Sequence, residues 1–162
     1  MEAKGHDRMF TVCALEMFGT ALFLFGIISQ NSAIIIPFML LAPVVIFGDV
    51  TGGHFNPAVT LGVFLTLGDY GKNLVFMIMI WISQILGGLL GIGLAWLGAF
   101  GKTDAMVPVL APFNPVQGGP DRAKNELEFS MDMQVVTNEV VCTFIFVSVI
   151  LMVKGKHTAG NR

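Results

Sequence analysis

Apolar positions fall in four long runs along the chain, and their lengths set the first expectations. Phe10 to Ser29 carries one charge, Glu16, and at about 1.5 Å per residue it is long enough to cross bilayer hydrocarbon. After the short polar link Gln30, Asn31 and Ser32, a second run extends from Ala33 to Phe47, predicting a span over 33–50. Pro37 and Pro43 lie inside it, and each removes a backbone donor, so a bent helix is expected. Leu74 to Phe100 has no charge and is bounded by Lys72 and Lys102. Residues 101–133 are polar and contain Pro and Gly, which predicts a loop. Val135 to Val153 is the fourth run, with Glu139 its only charge and a polar tail behind it.

A stretch of another kind lies between the second and third runs. Its apolar part, Ala58 to Leu67, is ten residues long. That is too short to cross a bilayer and predicts a re-entrant half-helix over about 57–67. The expected fold class is therefore an all-α membrane protein: four transmembrane helices (10–29, 33–50, 74–100 and 135–153) plus one re-entrant half-helix, in a single domain, 1–162.

Composition agrees, with 54% hydrophobic residues against 12% charged, where a soluble domain carries about 25% charged. A net charge of -2 argues against nucleic acid as a partner. Cys13 and Cys142 sit inside apolar runs, so neither a disulfide framework nor a zinc site is indicated. His6, His54 and His157 are scattered, so no metal and no cofactor is expected. No nucleophile–base pair or cofactor loop points to an enzyme. The opening residues MEAKGHDR mix both charge signs, and no small-residue cleavage site follows, which argues against a targeting peptide.

Four spans place both ends on one face. Lys4, Arg8, Lys72, Lys154, Lys156 and Arg162 then share that face, against Lys102, Arg122 and Lys124 opposite. Orientation follows this asymmetry, so both termini are expected on the cytoplasmic or equivalent side of a multi-pass membrane protein.

Two features carry chemistry. Glu16-x-x-x-Thr20-x-x-Phe23 recurs as Glu139-x-x-x-Thr143-x-x-Phe146, an offset of 123 residues. A carboxyl group at membrane depth costs about 2.5–3.5 kcal/mol on insertion scales, so one in each of two spans is unusual. Three spans separate the copies in odd register, the pattern of an inverted repeat. The second feature is Gly52-Gly53-His54-Phe55-Asn56-Pro57-Ala58-Val59-Thr60. Asn56 suits a helix N-cap and Pro57 the first helical position. The two glycines allow a tight turn. A half-helix beginning at membrane depth points about half a positive charge at the bilayer midplane, with the Asn56 amide as a donor at that point. Carbonyls of residues 52–55 would offer acceptors beside it, because irregular backbone is tolerated there only when buried in protein or lining a wet cavity.

At these residues the chain resembles the aquaporin (major intrinsic protein) family, whose most specific motif is a loop of the type found here as TGGHFNPAVTLGVFL. The similarity extends to EMFGTALFLFG, SQILGGLLG and EVVCTFIF. It implies an aquaporin-like half-fold, comprising the first repeat plus one helix of the second. It also implies that Asn56, Pro57, Ala58, Gly52, Gly53, His54 and Phe55 line a pore, and that Glu16 and Glu139 brace re-entrant loops rather than carry protons. Ile36 takes the position where the family places an aromatic or histidine filter residue, with Phe38 the aromatic nearby. Adding the repeat offset to Asn56 puts a second pore asparagine near position 179, past Arg162.

Two functions follow as expectations. The first is a channel for water or small neutral solutes, incomplete as a single chain. The alternative is a non-conducting, aquaporin-derived structural subunit of a larger membrane complex. Either would need another membrane protein chain to cover the open pore side, with lipid around the rest. Asn56 also fits as a plain N-cap, and His54 as loop packing. Asn114-Pro115, between Pro112 and Pro120, is a turn rather than a second pore box, because no apolar half-helix follows.

Overall fold

The computed structural model describes residues 5–30, 34–98 and 124–160. They form five helices: α1 (Gly5–Gln30), α2 (Ile35–Thr51), α3 (Pro57–Leu67), α4 (Tyr70–Gly98) and α5 (Lys124–Gly160). Among the described residues there is no strand. The chain divides into two units, residues 1–107 and 108–162. The first holds α1 to α4 and the second holds α5.

Local chemistry sets several of these boundaries. Gly52 adopts φ 87° and donates its N–H to the Gly48 carbonyl at 2.8 Å, closing α2 with a left-handed cap. Asn56 starts α3 from an extended conformation, its side-chain oxygen accepting from the Ala58 N–H, with Pro57 next. Gly68, at φ 73°, ends α3.

Packing within the first unit follows from small residues. A Cβ on Gly87 would collide with the Met17 carbonyl, and one on Gly91 with the Ala21 carbonyl. Those contacts advance four residues on each helix, so α1 and α4 run in the same direction, backbone against side-chain-free backbone. α2 runs the opposite way against α1, with Gly26 against Met39 and the Phe18 and Phe47 rings 6.0 Å apart, edge to face. The outward faces expose residues such as Val75, Ile85, Leu89 and Trp96.

Among the described residues, three stretches are long and apolar enough to cross a bilayer: Arg8–Ser29, Tyr70–Gly98 and Val135–Gly155. The expected second span is shorter than these. α2 has 17 residues, about 25 Å at ~1.5 Å per residue, against a hydrocarbon core of about 30 Å. Pro37 falls in its first turn, where no intrahelical N–H is lost, so only Pro43 lies inside the helix.

Two expectations need correction. Residues 124–133, read as loop, belong to α5, which runs on through the supposed polar tail to Gly160. Lys, Glu, Leu and Met are good helix formers, and a helix leaving the bilayer keeps its backbone bonds without an apolar face. α4 likewise begins at Tyr70 rather than 74, enclosing Lys72, which pairs with Asp69 at 3.0 Å. The turn read at Asn114-Pro115 and the residues 31–33 of the first link lie outside the described residues.

Gly87→Leu and Gly91→Leu should each lower stability by about 1–3 kcal/mol or more, the usual cost of overpacking. Gly93→Leu, where an added Cβ meets nothing within 4 Å, should leave it nearly unchanged. Thermal unfolding of the detergent-solubilised chain followed by circular dichroism reads the difference.

Candidate functional site

The site assembles around one buried carboxyl group. Glu16 projects from α1 and is 0% exposed. Its Oε1 accepts the His54 N–H at 3.0 Å, and its Oε2 accepts the Phe55 N–H at 2.7 Å and the Gln84 Nε2–H at 2.9 Å. Three donors from two other elements thus converge on a single side chain.

Those bonds hold a loop that is otherwise strained. Gly52 and Gly53 have φ 87° and 65°, and Phe55 sits at φ 45°, a region that a bulky residue rarely enters. Two contacts compensate. The Phe55 side chain is 1% exposed, and its ring occupies the space that a Cβ on Gly19 would fill. The Thr51 hydroxyl accepts the Gly53 N–H at 2.9 Å.

On α3, Thr60 ties the loop to the helices. Its hydroxyl has one proton, which it donates to the Asn56 carbonyl at 3.1 Å. It accepts from Gln84 Nε2 at 2.9 Å and meets His54 Nδ1 at 3.2 Å. The Trp81 Nε1–H donates to the Pro57 carbonyl at 3.0 Å. Gln84 Oε1 is buried without a partner. Turning the amide over would set that oxygen against the Glu16 carboxyl oxygen and lose two bonds, which explains the orientation.

Depth follows from the same contacts. Gln84 is the middle residue of α4, and α3 starts beside Trp81, just before it. α3 ends next to the start of α4, where the Tyr70 hydroxyl donates to the Leu65 carbonyl at 3.3 Å and the Phe64 and Tyr70 rings lie 5.3 Å apart. The positive end of α3 therefore sits level with the middle of a membrane-length helix. There Asn56 commits its Oδ1 to the Ala58 N–H at 2.8 Å, while its Nδ2 makes no hydrogen bond to any described residue.

The model of the major intrinsic proteins, "MIP: Major intrinsic protein", matches residues 8–162. The chain belongs to the major intrinsic protein family. Among its relatives in the family, Aquaporin-8 of Notomys alexis is 38% identical over 101 residues, 56% of this chain and 38% of that protein. Aquaporin Z of Photorhabdus laumondii is 30% identical over 145 residues, 88% of this chain and 58% of that protein. An aquaglyceroporin of Toxoplasma gondii is 30% identical over 81 residues, 50% of this chain and 30% of its own length. The match thus spans less than two thirds of each of these relatives. No solved structure matches the chain significantly. Family and apolar helices together make this an integral membrane protein. Nothing in these comparisons supports the alternative of a non-conducting structural subunit.

In this member of the family, Gly53, His54 and Phe55 are buried, Asn56 and Ala58 are half-buried, and Gly52 and Pro57 are exposed. Ile36 (half-buried) and Phe38 (61% exposed) stand at the opposite end of α2 from Gly52, about 24 Å away for Ile36 at ~1.5 Å per residue. Glu139 is exposed on α5. Sequence reasoning missed Thr60, Trp81 and Gln84. Gln84 had a signal: a lone amide inside a charge-free membrane-length run needs buried partners.

Glu16→Gln replaces one acceptor oxygen by an amide donor, leaving a buried loop N–H facing that donor. We expect a loss of about 1–3 kcal/mol, larger than for Gln84→Met, which leaves both loop N–H groups bonded. Thermal unfolding of the two variants in the same detergent gives the order; Gln84→Met as the more damaging change contradicts it.

Proposed function

We propose that the chain contributes the conducting wall of a membrane channel for water or small neutral solutes. The observation that carries the reading is the Asn56 amide. It is half-buried, its orientation is set through Oδ1, and its Nδ2 bonds to no described residue at the positive end of a half-helix level with the middle of α4. The kinship with aquaporins and an aquaglyceroporin supports the same reading.

Permeation of this kind needs no covalent chemistry. A water reaching Asn56 accepts from Nδ2 through its oxygen, so its hydrogens turn away from α3. The helix terminus, equivalent to about half a positive charge, disfavours a cation or excess proton at that point. In a bilayer α3 would be re-entrant, leaving on the side where α1 and α4 begin. The basic residues of that side favour placing it in the cytoplasm. Ile36 and Phe38, at the other end of α2, are the filter positions in this scheme, and Glu139 would brace a second loop. Pro57, Leu61 and Leu65 are exposed on α3. Backbone at that depth requires protein cover, so another membrane protein chain is the expected neighbour there.

Stopped-flow light scattering on native membrane vesicles, in which the chain keeps its neighbouring chain, tests the proposal. Vesicles containing the protein should shrink faster than matched vesicles without it. Asn56→Asp, which exchanges the donor for an acceptor, should remove most of the gain, roughly tenfold for a loss of about 1.4 kcal/mol, at equal protein abundance. Shrinkage no faster than in empty vesicles, or unaffected by Asn56→Asp, refutes it.

A further inference from the structure

A second feature adjoins the outer edge of the loop, where α1 begins and α2 ends. A cavity of about 570 Å³ is lined there by Arg8, Met9 and Val12 of α1, the segment 48–52 and Phe76 of α4. That volume falls in the range of about 300–1,000 Å³ typical of small-ligand sites. We propose that this cavity binds the headgroup of a zwitterionic phospholipid that carries a primary ammonium group. The inference does not depend on conduction.

Charge is the first argument. Arg8 and Asp49 are the two charged side chains of the lining, and both are exposed. Neither makes an ion pair or hydrogen bond with any described residue. A cation and an anion in one cavity, more than the 4.0 Å ion-pair limit apart, call for a ligand with both signs held at a distance. A phosphate joined to an ammonium by a two-carbon link meets that condition. A simple anion would leave Asp49 unanswered, and a simple cation would leave Arg8.

Position is the second argument. Arg8 is the first residue of the membrane-length stretch Arg8–Ser29, so the cavity lies where hydrocarbon gives way to headgroups. Met9, Val12, Val50 and Phe76 supply apolar walls for the glycerol and the first carbons of the acyl chains. The Arg8 guanidinium suits a phosphate, to which it can donate two parallel hydrogen bonds. The Asp49 carboxyl accepts from a primary ammonium, whose N–H donors a quaternary ammonium lacks. Ethanolamine headgroups should therefore be preferred over choline, and over the uncompensated anion of phosphatidylglycerol.

The test is native mass spectrometry of the purified full chain in mild detergent, titrated separately with phosphatidylethanolamine, phosphatidylcholine and phosphatidylglycerol of matched acyl chains. We expect phosphatidylethanolamine to be retained about tenfold better than either other lipid, the factor one charge-assisted hydrogen bond commands. Asp49→Asn should bring it down to the level of phosphatidylcholine, and Asp49→Glu should keep the preference. Arg8→Gln should weaken retention of both zwitterionic lipids. The ratio between lipids is read within each protein, so a change in stability does not mimic the result. Soluble O-phosphoethanolamine, without acyl chains, should compete only weakly; competition as strong as the lipid's own binding would refute a lipid as the occupant. Equal retention of the three lipids, or a preference untouched by Asp49→Asn, overturns the proposal.

Discussion

The arrangement of the first unit depends on one constraint: the loop between α2 and α3 must have its backbone satisfied away from water. Glu16 meets it from another helix, accepting the N–H groups of His54 and Phe55. In a medium without water each unpaired group would cost several kcal/mol. Together with the packing of its ring against Gly19, those bonds hold Phe55 at φ 45°. The loop's conformation, the start of α3 and the orientation of the Asn56 amide are all downstream of that carboxyl group.

The carboxyl can serve this purpose because α1 and α4 approach so closely. Gly87 and Gly91 let the backbone of α1 lie against α4, which brings Gln84 within 2.9 Å of Glu16. Gln84 also reaches Thr60, so a single amide links α1, α3 and α4. Trp81 adds a second tie to Pro57. The network is complete except at Gln84 Oε1, the remainder of an orientation that satisfies two acceptors at the expense of one. Buried polar groups that are paired this fully specify a single geometry, because any slippage exposes several unmade bonds at once.

Much of this was legible in advance, and for local reasons. Asn56-Pro57 marks the start of α3, because capping involves only neighbours in sequence, and the apolar run Ala58 to Leu67 marks its extent. Glu16 stood out because a carboxyl inside an apolar run is costly enough to need a reason. The start of α5 was not legible: residues 124–133 lack the apolar face that marks a helix, and their backbone bonds hold without one. Pro37 misled in the other direction, since whether a proline bends a helix depends on its distance from the first turn.

The sequence by itself determined the family, three of the four expected membrane-length runs and the start of α3, since these depend on motif identity, run length and residues a few positions apart. Only the tertiary structure decided which groups answer Glu16, because His54, Phe55 and Gln84 lie 38, 39 and 68 residues away from it. The same holds for the charges of Arg8 and Asp49, brought to one cavity by the antiparallel return of α2. Hydrogen bonds and cavities depend on distances in space, and helix packing sets those through contacts that no local pattern encodes.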